Sequence, residues 1–134
     1  NPICVRSCPT TAMHKGKDGI VSVDHTKCVG CRYCEWGCPY SAPQYDAKLG
    51  KMTKCDFCRD YQQEGTAPAC VAACPNRALD YGEYEELAAK YGEVNVIAPL
   101  PDPGITQPNL VITLGKNAKP AGSKAGKVSN PEEV

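Results

Sequence analysis

The chain has 134 residues, with fifteen Lys plus Arg against fifteen Asp plus Glu and a formal net charge of zero. That balance lacks the basic excess of a nucleic-acid-binding domain, and no run of about eighteen apolar residues exists to form a transmembrane helix. Ten Cys against one Phe and one Trp exclude an ordinary aromatic core at this length, and point to a bound group that replaces it.

From the N-terminus, Cys4 and Cys8 with Pro9 form a Cys-x3-Cys-Pro unit. Residues 12–15 (Ala-Met-His-Lys) and 20–23 (Ile-Val-Ser-Val) read as short strands. Between them Gly16-Lys17-Asp18-Gly19 makes a turn, because Asp-Gly accepts positive φ. The central run follows: Cys28-x2-Cys31-x2-Cys34-x3-Cys38-Pro39. Helical geometry is expected from about Cys31 to Cys38, ending where the residue before Pro39 leaves the α region.

A second hairpin comes next, Gln44-Tyr45-Asp46 and Lys51-Met52-Thr53-Lys54 around Ala47-Lys48-Leu49-Gly50. Then come Cys55-x2-Cys58, eleven residues, and Cys70-x3-Cys74-Pro75. Residues 78–81 stand after their Cys-Pro much as 12–15 do, so the unit of hairpin and cysteine motif repeats. Residues 83–91 suit a helix with acids in its first turn and Lys90 near its end, stopped by Gly92. Pro99, Pro101, Pro103 and Pro108 then break regular structure, Asn109 to Leu114 allow one more strand, and from Lys116 the composition is that of a surface tail. The class is α+β, built of short β-hairpins and short helices. It divides into a ferredoxin-like cysteine region at 1–92, incomplete at its N-terminus, and an extended tail at 93–134 that packs on the core or a partner.

The central spacing is the ligand pattern of a bacterial ferredoxin-type 4Fe-4S cluster. Each iron of such a cubane takes three sulfides and one Cys. Three thiolates on a tight loop hold three corners, and the fourth serves a neighbouring cluster. Cys28, Cys31 and Cys34 thus bind one cluster with Cys8 as fourth ligand, a set complete within the chain. Cys38 joins Cys4 on the next, with two ligands missing. Cys55, Cys58 and Cys70 need a fourth ligand from elsewhere, and Cys74 serves another cluster. Four cubanes take sixteen Cys, so six lie outside the ten present. With no initiating Met before Asn1, an N-terminal truncation is expected.

Two other uses of the cysteines compete. An even count permits disulfides, but pairs spaced Cys-x2-Cys and Cys-x3-Cys chelate metals well and make poor long-loop staples. Cys55, Cys58, Cys70 and Cys74, taken alone, have the form of a structural zinc site; beside the central run they read as part of the same cluster system. His14 and His25 read as a strand and a turn residue rather than ligands. Trp36 and Tyr40 either shield the central cluster from water or simply pack. Lys54 and Arg59 either offset cluster charge or form a solvated face. No catalytic triad, paired carboxylates or phosphate loop appears.

The stretches 28–45, 52–58 and 70–82 resemble the iron–sulfur subunits of molybdopterin oxidoreductase complexes, and residues 1–15 resemble that family's second motif. The tail, through Val96-Ile97-Ala98-Pro99-Leu100-Pro101, Gln107-Pro108-Asn109-Leu110-Val111-Ile112 and Asn130-Pro131-Glu132-Glu133-Val134, is similar to that of electron-transfer subunits of anaerobic dimethyl sulfoxide reductases. The resemblance implies four 4Fe-4S clusters in two ferredoxin-like halves, the first motif paired with the fourth and the second with the third. Some relatives carry Trp in place of the second Cys of the third motif; here it is Cys31, so a cubane is expected there. Also implied are a molybdopterin catalytic subunit and a quinol-oxidising membrane anchor as partners, a peripheral place on the cytoplasmic membrane, and anaerobic respiration as setting. The rival reading within the family is a subunit of a formate dehydrogenase or a sulfur-compound reductase.

Overall fold

The computed structural model describes residues 1–125; residues 126–134, which include the tail segment Asn130 to Val134, lie outside the described part. The described residues form two compact units, one of residues 1–82 and one that begins at residue 83.

The first unit is an alternation of one-turn helices and hairpins. Helix α1 (Ile3–Arg6) precedes strands β1 (Met13–Lys15) and β2 (Val21–Val23). Helix α2 (Tyr33–Trp36) precedes β3 (Gln44–Asp46) and β4 (Lys51–Thr53). Helices α3 (Arg59–Gln63) and α4 (Ala69–Ala72) complete it. Both hairpins are antiparallel, with Met13 opposite Val23 and Met52 opposite Tyr45. The turn of the first hairpin contains Gly19 at φ +80°, as the Asp-Gly pair demands.

One-turn helices are unstable alone, so local closure matters. In α1, α2 and α4 the residue after the helix, Ser7, Gly37 or Ala73, returns its amide to the first helical carbonyl, that of Ile3, Tyr33 or Ala69. A Cys-Pro step follows each time. The third residue after that Cys, Thr11, Ser41 or Arg77, turns left-handed at φ between 49° and 56°. Its amide bonds the cysteine carbonyl, at 3.4, 3.3 and 3.1 Å. The sequence repeat is therefore a structural one, although the stretch 78–81 after the third copy forms no strand. Among the described residues the next element is a helix, Tyr84–Tyr91, and not a second strand.

The buried core of the unit is small: Cys4, Met13, Cys34 and Met52, with Val5, Val21 and Val23 packed against it. Two of those four residues are cysteines on the facing helices α1 and α2. Gly37 allows the helices to approach, since a Cβ there would lie 3.2 Å from Ile3 Cγ2 and 3.3 Å from Ser7 Oγ.

In the second unit α5 (Tyr84–Tyr91) ends at Gly92, φ +93°. This is the helix expected over 83–91. A 3-10 turn spans Pro103–Ile105, capped by the Asp102 carboxylate on the Gly104 amide at 2.7 Å. The strand expected at Asn109 to Leu114 is absent: the Ile112 amide bonds the Val94 carbonyl at 2.7 Å without forming a ladder. Flanking prolines supply no amides to extend pairing.

Candidate metal centre

Cys28, Cys31, Cys34 and Cys8 line one pocket of about 300 Å³, counting its open mouth. Three of them arrive on the central loop and the start of α2. Cys8 arrives from the Cys-Pro step after α1. Gly30 shapes the loop: its φ is +69°, and a Cβ there would sit 2.3 Å from the Gly50 carbonyl oxygen. Arg32, also left-handed at φ 65°, starts α2 two residues later than Cys31, where helix was expected to begin. The loop needs that reversal to bring Cys31 and Cys34 to one pocket.

Cys38 departs from this group. Burial, then the charge of Cys38, pushes the Cys4 thiol up, so these two thiols are electrostatic neighbours. Burial raises the Cys34 thiol too, with Cys31 and Cys4 adding to it. Cys34 both lines the pocket and packs in the same buried cluster as Cys4.

Backbone amides point at several of the sulfurs. Met13 N–H donates to Cys8 Sγ and Met52 N–H to Cys28 Sγ, each at 3.4 Å. Phe57 N–H donates to Cys55 Sγ at 3.4 Å and Ala78 N–H to Cys74 Sγ at 3.3 Å. Such bonds favour thiolate. Around Cys8, burial acts upward, but the Met13 amide and Thr10 hydroxyl outweigh it and the thiol lies below its ordinary value. Cys74 is lowered as well, chiefly by the Ala78 amide.

The group this donor set fits can be tested on its geometry. All ten cysteines are free, which removes the disulfide reading. No three His, Cys, Asp or Glu side chains among the described residues meet at the spacing of a single ion. A zinc site needs four donors on one point, sulfur about 2.3 Å from the metal. A cubane spreads its thiolates around a wider core, and four cysteines around a pocket is the arrangement it requires. Cys55 and Cys58 copy the central loop: Phe57, like Gly30, is the left-handed residue before the second Cys, at φ 67°. Cys70 lies in α4, and Cys74 follows it.

Some expected roles change. Trp36 is 71 % exposed and Tyr33 53 %, so Trp36 does not shield the site. Water is excluded instead by Ala12, Met13 and Met52, each 2 % exposed and lining the pocket. The two methionines were legible only as strand residues; their strand register faces them inward. His25 is a tether rather than a mere turn residue, its Nε2 donating to the Met52 carbonyl at 3.1 Å. His14 Nδ1 bonds the Ala12 carbonyl at 3.1 Å.

Comparison with known proteins agrees with this geometry. Residues 1–84 match the family model of the 4Fe-4S dicluster domain. The chain is 51 % identical over all 134 residues to YnfG, a probable anaerobic dimethyl sulfoxide reductase subunit of Escherichia coli K12, and spans 65 % of that protein's length. It is 53 % identical over the same span to the B subunit of anaerobic dimethyl sulfoxide reductase from Haemophilus influenzae, again 65 % of its length. The B subunit of polysulfide reductase from Wolinella succinogenes is 40 % identical over 120 residues, 87 % of this chain and 63 % of that one.

Proposed function

The chain belongs to the 4Fe-4S dicluster domain family, and from that premise we propose that it is a non-catalytic electron-transfer subunit of a reductase complex. In this reading it carries single electrons through 4Fe-4S clusters between a quinol-oxidising membrane anchor and a molybdopterin catalytic subunit of the dimethyl sulfoxide reductase type. The observation that carries it is the convergence of Cys8 with Cys28, Cys31 and Cys34 on one pocket.

When bound, a 4Fe-4S cluster takes up and gives back one electron without forming bonds to substrate. The protein holds the thiolates, directs amides at their sulfurs and keeps water away, and these are the levers that set a potential. Cys8, Cys28, Cys31 and Cys34 form one ligand set. Cys4 and Cys38 share a second with two cysteines outside this chain. Cys55, Cys58 and Cys70 belong to a third, and Cys74 to a fourth. The full protein would then be a four-cluster polyferredoxin, seated peripherally on the cytoplasmic membrane. No helix among the described residues is long and apolar enough to cross a membrane; in this reading the anchor partner provides the attachment.

The choice of dimethyl sulfoxide reductase type rests on the tail. The likeness to those subunits runs over all 134 residues. The sulfite dehydrogenase and thiosulfate reductase subunits match over 92 and 87 residues. The polysulfide reductase subunit, matched over 120, supports a sulfur-compound reductase as second reading.

The test is anaerobic purification of the protein in its native complex. Iron and acid-labile sulfide should be equimolar, quinol should bleach the visible absorption, and dimethyl sulfoxide should restore it. Zinc without sulfide would overturn the reading; restoration by polysulfide and not by dimethyl sulfoxide would favour the second.

A further inference from the structure

The pocket shared by the four cysteines of the central set is otherwise walled by Ala12, Met13, Val23, Val29 and Met52, all apolar. Among the described residues that line it, Thr10 alone adds a polar side chain to those of the cysteines. Thr10 is half-buried, and its Oγ1 lies 3.6 Å from Cys8 Sγ, within the longer reach of a sulfur partner. The turn that places it is fixed locally. Pro9 locks its own φ, and the Thr11 amide closes on the Cys8 carbonyl at 3.4 Å. A cysteine that ligates iron is a thiolate and has no proton to give, so with a cluster bound the hydroxyl is the donor. Cys8 Sγ also accepts the Met13 N–H at 3.4 Å. This sulfur thus takes one donor from the backbone and one from a side chain. The corresponding place in the other two Cys-Pro steps is held by Tyr40 and Asn76, so a short hydroxyl there belongs to the first copy alone.

We propose that Thr10 is a positioning residue whose hydroxyl, bonded to Cys8 Sγ, raises the reduction potential of the cluster held by Cys8, Cys28, Cys31 and Cys34. Reduction adds one electron and makes the cluster more negative by one charge, with no covalent bond made or broken. Part of that charge resides on the ligating sulfurs. A donor aimed at one of them stabilises the reduced state more than the oxidised one, because a hydrogen bond strengthens as its acceptor gains charge. The apolar walls enlarge the effect by lowering the local dielectric; Ala12, Met13 and Met52 leave little surface to water. The hydroxyl also differs from the amide donors in being removable without moving the chain. Val keeps the β-branched shape of Thr and has no hydroxyl, whereas Ser keeps the hydroxyl and loses the methyl.

The proposal rests on the cluster assignment above. The test is potentiometric titration, by electron paramagnetic resonance, of the complex carrying Thr10→Val or Thr10→Ser. The signal of this cluster is identified as the one altered by Cys31→Ser. Its midpoint should move negative in Thr10→Val and stay near wild type in Thr10→Ser, while the Cys4/Cys38 signal, the one altered by Cys38→Ser, holds its midpoint in both. Electron–nuclear double resonance before and after exchange into heavy water gives a second readout. One exchangeable-proton coupling of the wild-type cluster should be missing from Thr10→Val and present in Thr10→Ser. An unmoved midpoint in Thr10→Val would overturn the proposal, as would an equal shift in the two variants. So would loss of the cluster from Thr10→Val, which marks a purely structural contact. Absence from the wild-type complex of any signal that Cys31→Ser alters would instead sink the cluster assignment itself.

Discussion

Gly30 and Phe57 hold the same position, the residue before the second Cys of a Cys-x2-Cys pair, and both are left-handed, with φ at 69° and 67°. Glycine adopts that conformation freely, whereas a bulky side chain is strained there. Gly30 has a second constraint, since a Cβ would meet the Gly50 carbonyl oxygen at 2.3 Å. Gly30→Ala should therefore cost more than the ~1–2 kcal/mol of left-handed strain alone, because only backbone movement relieves the clash. Chemical denaturation of the holoprotein should show that loss, together with reduced iron content. Gly37→Ala meets only side-chain and carbonyl contacts at 3.2–3.3 Å and should cost less, on the order of 1 kcal/mol. The cysteine spacing marked the candidate ligands at this scale. It did not announce the exclusion of water by Met13 and Met52, because a methionine in a three-residue strand carries no periodic signal. Trp36 shows the opposite: shielding and simple packing were both open to the largest aromatic side chain, and it lies 71 % exposed.

At the scale of elements, three copies of one design recur: a one-turn helix with Cys at its second residue, a return amide bond, Cys-Pro, and a left-handed reversal. The repeat was legible because Pro, turn residues and cysteines sit at fixed offsets. Helix ends were less legible, since α2 begins at Tyr33 only after Arg32 has reversed the chain, and no residue type at position 32 signals that. Helix α3 lies in the eleven residues between Cys58 and Cys70 and had no cysteine to mark it. Between elements, the Lys51 ammonium fastens the loop at His25 and Cys28 to β4. Lys51→Met removes both bonds; the His25 end is exposed, so water replaces part of the loss and the net cost is about 1 kcal/mol. The expected outcome is faster release of iron to a chelator, several-fold at equal temperature, with the Cys4/Cys38 signal retained longest. An unchanged release rate would show that the loop is held by the cluster alone.

For the whole first unit, the core is Cys4, Met13, Cys34 and Met52 with a few partly buried valines. That is too little apolar burial to offset the ordering of some eighty residues at about 1–2 kcal/mol each. Thiolate bonds to bound clusters must supply the difference, as metal binding does in other small domains. Removing iron anaerobically with a chelator should therefore abolish cooperative unfolding of this unit. Near-ultraviolet circular dichroism and calorimetry would check it, and a sharp transition surviving in the iron-free protein would contradict it. Composition already implied this dependence, because ten Cys stand against one Phe and one Trp. The second unit was read less well: its helix followed from charge placement and Gly92, while the expected strand at Asn109 to Leu114 depended on a pairing partner that sequence pattern alone does not reveal.

The central claim is that ligands are exchanged between neighbouring motifs, with Cys8 serving the central cluster and Cys38 serving another. The direct measurement is electron paramagnetic resonance of the reduced and oxidised complex carrying, one at a time, Cys8→Ser, Cys31→Ser, Cys38→Ser and Cys4→Ser. Cys8→Ser and Cys31→Ser should alter one and the same signal, with a three-iron centre the expected product at Cys31. Cys38→Ser and Cys4→Ser should leave that signal intact and alter a second. If Cys38→Ser instead changes the signal that Cys31→Ser changes, while Cys8→Ser leaves it untouched, the exchange is wrong and the account of this site fails.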